Sequence, residues 1–211
     1  NLEEVEVKFA RECAFADPVG QPGHALNTNI AETISFRNEV LEFLFTALRQ
    51  DEKVKSLTIK NLQDYMDKSV FESEDFKAVR NELSKLHLQI TTEHDQDVPE
   101  YSILDSSCHQ GFRRDRPDTW LKLLTNQLTC LTLYGTECFW GVWPLVDFRQ
   151  VPAFPYLKSL SLGKFTIAHE WQVDWVLSHR PTLEELILDD CPIVTALTIW
   201  NDAADANFPG L

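Results

Sequence analysis

Six times along the chain the pattern L-x-x-L-x-L recurs, and this repeat constrains the fold more than any other feature. The runs are LEEVEV (Leu2, Val5, Val7), VKSLTI (Val54, Leu57, Ile59), LSKLHL (Leu83, Leu86, Leu88), LTCLTL (Leu128, Leu131, Leu133), LKSLSL (Leu157, Leu160, Leu162) and LEELIL (Leu183, Leu186, Leu188). The spacing suits neither an amphipathic helix nor a plain alternating strand, because two apolar residues two apart are preceded by one three apart. It suits one coil of a repeat. The second and third apolar residues point inward from a short strand, the residues between them face the concave side, and helices pack on the convex side. The middle apolar positions (5, 57, 86, 131, 160 and 186) lie 52, 29, 45, 29 and 26 residues apart, so the period is irregular, with two long insertions.

The segments between the repeats carry apolar residues at helical spacing. Val40, Leu41, Leu44, Phe45 and Leu48 form one stripe, and Phe76, Val79 and Leu83 a second. Ser73 is positioned to cap the second helix, with Glu74 and Asp75 favourable in its first turn. Pro117 with Asp118 opens a third helix carrying Trp120, Leu121 and Leu124. Trp171, Trp175 and Val176 mark a fourth, which Pro181 helps to end. The predicted layout is α/β: about six short parallel strands alternating with helices in one domain, residues 1–211. The stretch DPVGQPGHALN is expected to be a loop that leaves the first two strands in one continuous sheet.

Charge excludes one class of partner. With 33 acidic and 19 basic residues the chain carries −14, a field that repels phosphate backbones, so nucleic acid is not an expected partner. Arg113, Arg114 and Arg116 around Asp115 read as a solvated loop. No stretch approaches the roughly 18 apolar residues of a membrane span, and the acidic start NLEEVEVKFA lacks a signal pattern. Five cysteines (13, 108, 130, 138 and 191) form no CxxC pair, and an odd number cannot all pair within the chain. Reduced thiols, together with the missing N-x-[ST] sequon, predict an intracellular protein, cytoplasmic or nuclear.

Motifs for catalysis are missing as well. The chain contains no G-x-G-x-x-G, G-x-x-x-x-G-K-[ST] or G-x-S-x-G. His169-Glu170 starts like a metalloprotease motif, but Val173 stands where the second histidine belongs, so the pair reads as a helix start. Cys108 and His109 are adjacent on an extended chain and point apart. Glu93, His94, Asp95 and Asp97 lack the glycine and closing glutamate of a calcium loop. The expectation is a non-enzyme with no cofactor and no metal.

If the strands line up, the residues between the inward leucines share one face. These are Lys85, His87 and Gln89; Thr132 and Tyr134; Ser159, Ser161 and Gly163; and Glu185, Ile187 and Asp189. Mostly small and polar, they suit a hydrogen-bonding protein surface, and the overall acidity favours a protein partner with basic patches. Trp140 and Trp143, in the loop ECFWGVWPLVD, are expected to be exposed anchors, because large aromatics at loop ends hold partner proteins. Cys191, three residues past the last leucine, sits where the coil turns and is expected to serve the turning backbone; Thr91, Thr136 and Phe165 are its equivalents.

The runs FRNEVLEFLFTALRQ, SLTIKNLQ, LTCLTLYGTECFWG and FPYLKSLSLGKFTIAHEWQVDWVLSHRPTLEELILDDCPI resemble the leucine-rich-repeat-like region of F-box proteins from filamentous fungi. The resemblance spans roughly residues 1–196 and is most specific over 154–193. It implies an irregular leucine-rich-repeat-like solenoid that holds the substrate of an SCF-type ubiquitin ligase, bound to the Skp adaptor and cullin through an F-box. No F-box-like L-P-x-E-[IL] segment occurs in the chain, so the resemblance covers the recognition part only. It carries over no catalytic residues, since the ligase chemistry belongs to other subunits. A repeat scaffold with no ubiquitin-ligase role is the alternative.

Overall fold

The computed structural model describes residues 3–13, 32–51, 53–65, 67–91, 117–136, 139–142 and 145–195. In chain order these form β1 (Glu4–Lys8), α1 (Ile34–Leu48), β2 (Ser56–Gln63), α2 (Lys68–Phe71), α3 (Glu74–Arg80), β3 (Lys85–Thr91), β4 (Cys130–Gly135), β5 (Ser159–Gly163), α4 (Glu170–Leu177) and β6 (Glu185–Asp189). A π-helical turn, Pro117–Leu121, runs into a 3₁₀ turn, Lys122–Leu124, before β4, and a second 3₁₀ turn, Phe148–Gln150, precedes β5. The six strands form one parallel sheet in strictly sequential order, β1-β2-β3-β4-β5-β6. Parallel neighbours need crossovers, and the helical segments supply them.

The repeat positions meet in register. Val5, Leu57, Leu86, Leu131, Leu160 and Leu186 make one row across the sheet, and Val7, Ile59, Leu88, Leu133, Leu162 and Leu188 the next. From β2 to β5 both rows are buried, at no more than 6% exposure. The first apolar residue of each run, just ahead of the strand, is buried too at Val54, Leu83, Leu128 and Leu157. Each new strand is tied to its predecessor by one bifurcated acceptor. Paired N–H groups at 55 and 56, 84 and 85, 129 and 130, 158 and 159, and 184 and 185 converge on the carbonyls of Glu3, Lys55, Ser84, Thr129 and Lys158, at 2.8 to 3.3 Å. A carbonyl's two lone pairs permit this, and the repetition sets the stacking vector five times over.

Helical segments cover the leucine face. α1 buries Leu41, Phe45 and Leu48, and Thr33 caps its start by accepting from Phe36 N–H at 3.3 Å. Ser73 caps α3 as its sequence predicts, accepting from Phe76 N–H at 3.1 Å, and Phe76, Val79 and Leu83 are all buried. The third segment differs from the expected α-helix. Its apolar residues Trp120, Leu121 and Leu124 are buried as the spacing requires, but the backbone widens to a π turn and then tightens to 3₁₀. Edge-to-face rings join these pieces, with Phe45–Phe76 at 5.0 Å and Phe76–Trp120 at 4.8 Å. In α4, Trp175 is buried, stacks on Phe148 at 4.0 Å and donates from Nε1 to the Val151 carbonyl at 3.1 Å.

Strand exits recur in a form that the leucine pattern does not reveal. Asn61, Lys164 and Asp190 each lie two residues past the third apolar position, and each adopts a left-handed conformation (φ 56°, 57° and 51°). At Asn61 the register slips between Ile59 and Leu62, so β2 bulges there. Buried Arg37 of α1 secures the bulge, donating to the Asn61 carbonyl at 2.8 Å and the Ala10 carbonyl at 2.6 Å, beside Glu32 at 3.1 Å.

Candidate functional site

Among the described residues no element covers the side of the sheet opposite the leucines, and the strand residues between the inward leucines lie on it. Alternation along each strand places Lys85, His87, Gln89, Thr132, Tyr134, Ser159, Ser161, Glu185, Ile187 and Asp189 there, none of them fully buried, whereas Gly163 in the same row is buried. A shallow depression of about 350 Å³ lies among Thr58, Lys60, His87, Gln89, Thr132 and Tyr134. The in-register alternation that places His87 also places Thr58, Lys60 and Cys130, which a reading limited to selected repeats passes over.

Cross-strand bonds order this surface. His87 Nδ1 lies 2.8 Å from Thr132 Oγ1, and its Nε2 lies 3.9 Å from the Cys130 thiol. Burial, with Lys85 nearby, holds the His87 imidazole below its ordinary value, and burial pushes the Cys130 thiol up. Both shifts favour the uncharged forms, imidazole and thiol, which suit hydrogen bonding. Tyr134 lies across Gly163, where a Cβ would fall 1.8 Å from the ring, and its hydroxyl donates to Asp189 at 2.7 Å. Ser159 donates to Glu185 at 2.6 Å. On the β1 side Lys60 pairs with Glu6 at 2.8 Å and Lys85 with Glu4 at 3.3 Å.

Trp140 requires a correction. Far from being an exposed anchor it is buried at 3% exposure, its Nε1 donating to the Gly163 carbonyl at 2.8 Å and its ring 4.7 Å from Phe165. An isolated parallel bridge to Phe165 turns the side chain inward, with Trp140 N–H to the Lys164 carbonyl at 3.0 Å and Thr166 N–H to the Trp140 carbonyl at 2.7 Å. Gly141 next to it has φ 106°, and a Cβ there would stand 2.5 Å from the Phe165 ring. Trp143 lies outside the described residues, as do Cys108 and His109, the acidic run at 93–97 and the arginines at 113–116.

Other singled-out residues have local structural roles. His169 is the N-cap residue of α4, Glu170 lies in its first turn, and the Gln172 side chain returns to accept from His169 N–H at 2.9 Å. Cys191 places its Sγ 3.2 Å from the Leu162 carbonyl, serving the turn as expected. Among the described residues no cluster of three or more His, Cys, Asp or Glu is arranged to hold a metal ion, and no helix is long and apolar enough to cross a membrane. Comparison with known protein families, curated proteins and solved structures finds no match to this chain.

Proposed function

We propose that the chain is a protein-interaction module, an irregular leucine-rich-repeat-like solenoid whose open face receives part of another protein. The observation that carries this reading is that open face itself. Strands stacked in sequential order present donors and acceptors of several kinds in register, around a depression and with no described element over it. Such a surface recognises shape and hydrogen-bond pattern, while the net charge of −14 favours a partner with basic patches. The narrower reading, substrate receptor of an SCF-type ubiquitin ligase, rests on the resemblance of residues 154–193 to fungal F-box proteins. In that reading the Skp adaptor and cullin are reached through an F-box, and the chain itself supplies recognition. A repeat scaffold without a ligase role is favoured by the exposed leucines of β6, which suit stacking on a neighbouring chain.

Affinity purification from extracts of the source cells, using the native protein beside a Thr132→Lys/Ser161→Lys variant, tests these readings together. The receptor reading expects a Skp adaptor and cullin with both proteins, and one further protein that the variant loses. A face-dependent partner without ligase subunits leaves the scaffold. A partner set unchanged by the variant rejects the open face as the contact surface.

A further inference from the structure

His179 stands just past the end of α4, where the chain turns toward β6, and its carbonyl accepts from Thr182 N–H at 3.0 Å and Leu183 N–H at 2.9 Å. The residue is buried, its ring stacked on Phe154 at 5.7 Å and edge-on to Trp175 at 4.8 Å. Trp175 stacks in turn on Phe148, which lies 5.7 Å from Phe165. His179 is thus the titratable member of a buried aromatic cluster that fastens α4 to the segment 148–154. Its Nδ1 faces the Val176 carbonyl at 3.3 Å, and a carbonyl only accepts, so the neutral ring keeps its proton there. Nε2 is left as a bare lone pair with no hydrogen-bond partner among the described residues. A proton added at Nε2 would make an N–H without an acceptor and a charge without water, so the ring must leave its place to take one.

No charged side chain offsets that cost. Burial holds the imidazole below its ordinary value, opposed only by backbone hydrogen bonds of Val176 and Trp175. Asp174 of α4 and Arg180 in the turn are exposed. Arg149 of the packed 3₁₀ turn pairs with Asp147 at 2.8 Å and lies over Trp171 at 4.9 Å, and Lys158 pairs with Glu184 at 2.9 Å. His169 stands at the other end of the helix, 5.4 Å from Trp171. We propose that His179 is an acid-sensitive latch, which while neutral holds α4 and the turn after it onto Phe148 and Phe154 and lets them come away as the pH falls. The latched helix braces the sheet beneath the open face. Gln172 Nε2 donates to the Thr166 carbonyl at 3.0 Å and the Gly141 carbonyl at 3.3 Å, and Trp140 beside Gly141 bonds the Gly163 carbonyl under the Tyr134 ring. Release of α4 loosens that footing, whatever the open face binds.

Amide hydrogen exchange of the full 211-residue chain, followed peptide by peptide by mass spectrometry and normalised to intrinsic rates, tests the latch. Uptake of one proton on opening raises the open population about tenfold between about pH 7.5 and about pH 5.5. Over that interval the protection of α4 is expected to fall about tenfold, from a level already below that of β2 and β3, because the latch opens short of global unfolding. His179→Phe keeps a ring in the cluster and His179→Gln keeps a polar side chain, and neither titrates, so in each the fall should shrink to about twofold or less. His87→Gln should leave the fall intact. Protection of α4 that ignores pH overturns the proposal, as does a fall that survives in the His179 variants. One protection factor shared by α4, β2 and β3 at both pH values would make the opening global and overturn it equally.

Discussion

At the scale of the residue, two positions show how little tolerance the sheet leaves. Gly163 is required not by its own dihedrals but by the Tyr134 ring resting on it. Gly163→Ala must displace that ring and break its bond to Asp189, so a loss of about 1 to 3 kcal/mol is expected, measured by urea denaturation. His179 is buried against Phe154 and Trp175, and burial holds its imidazole below the ordinary value of 6.5. The folded state therefore binds fewer protons than the unfolded state once the pH drops below that value. Stability should be full above about pH 6.5 and fall as the pH is lowered toward the depressed folded value, and His179→Gln should flatten this dependence. Urea midpoints at neutral and mildly acidic pH check the sign. Half-buried His87 shifts in the same direction and adds to the slope.

Elements here are short and depend on caps and junctions for their stability. α3 has seven residues, too few to hold by propensity alone. Ser73 secures both its start and the end of α2, accepting from Phe76 N–H and donating to the Val70 carbonyl at 2.7 Å. Ser73→Ala is expected to cost about 1 kcal/mol, read from the thermal midpoint. That cap was legible in the sequence because its signal is local: a serine, two acids, then the apolar stripe. The π-to-3₁₀ turn at 117–124 was not, because apolar spacing reports which residues face the core and not which backbone hydrogen bonds close. The bulge at Asn61 was equally hidden, since its partners Arg37 and Phe9 come from distant parts of the chain.

Across the sheet as a whole, the leucine rows are buried from β2 to β5 and exposed at β6, the last of the described strands. Leu162 and Leu188 are register partners in adjacent strands, yet Leu162 is 1% exposed while Leu188 is 47% exposed. Leu162→Ala should cost about 3 kcal/mol, whereas Leu188→Ala should cost about 1 kcal/mol or less, because much of its surface already meets water. Equal losses in chemical denaturation would show that β6 is covered in solution.

The sequence by itself determined the six strands, the two leucine rows, the helical cover and the polar composition of the open face. These follow from a period-two alternation and a recurring triplet, which a chain cannot display without sorting its residues onto two faces. Tertiary structure alone decided three things. It buried Trp140, because the bridge to Phe165 and the bond to the Gly163 carbonyl join segments more than 20 residues apart, a separation no local pattern records. It brought Cys130 beside His87 and laid Tyr134 over Gly163, because register between strands is set by stacking and not by any one strand's composition. And it left β6 without cover from any described element, because a repeat's leucines look the same whether or not another element lies against them.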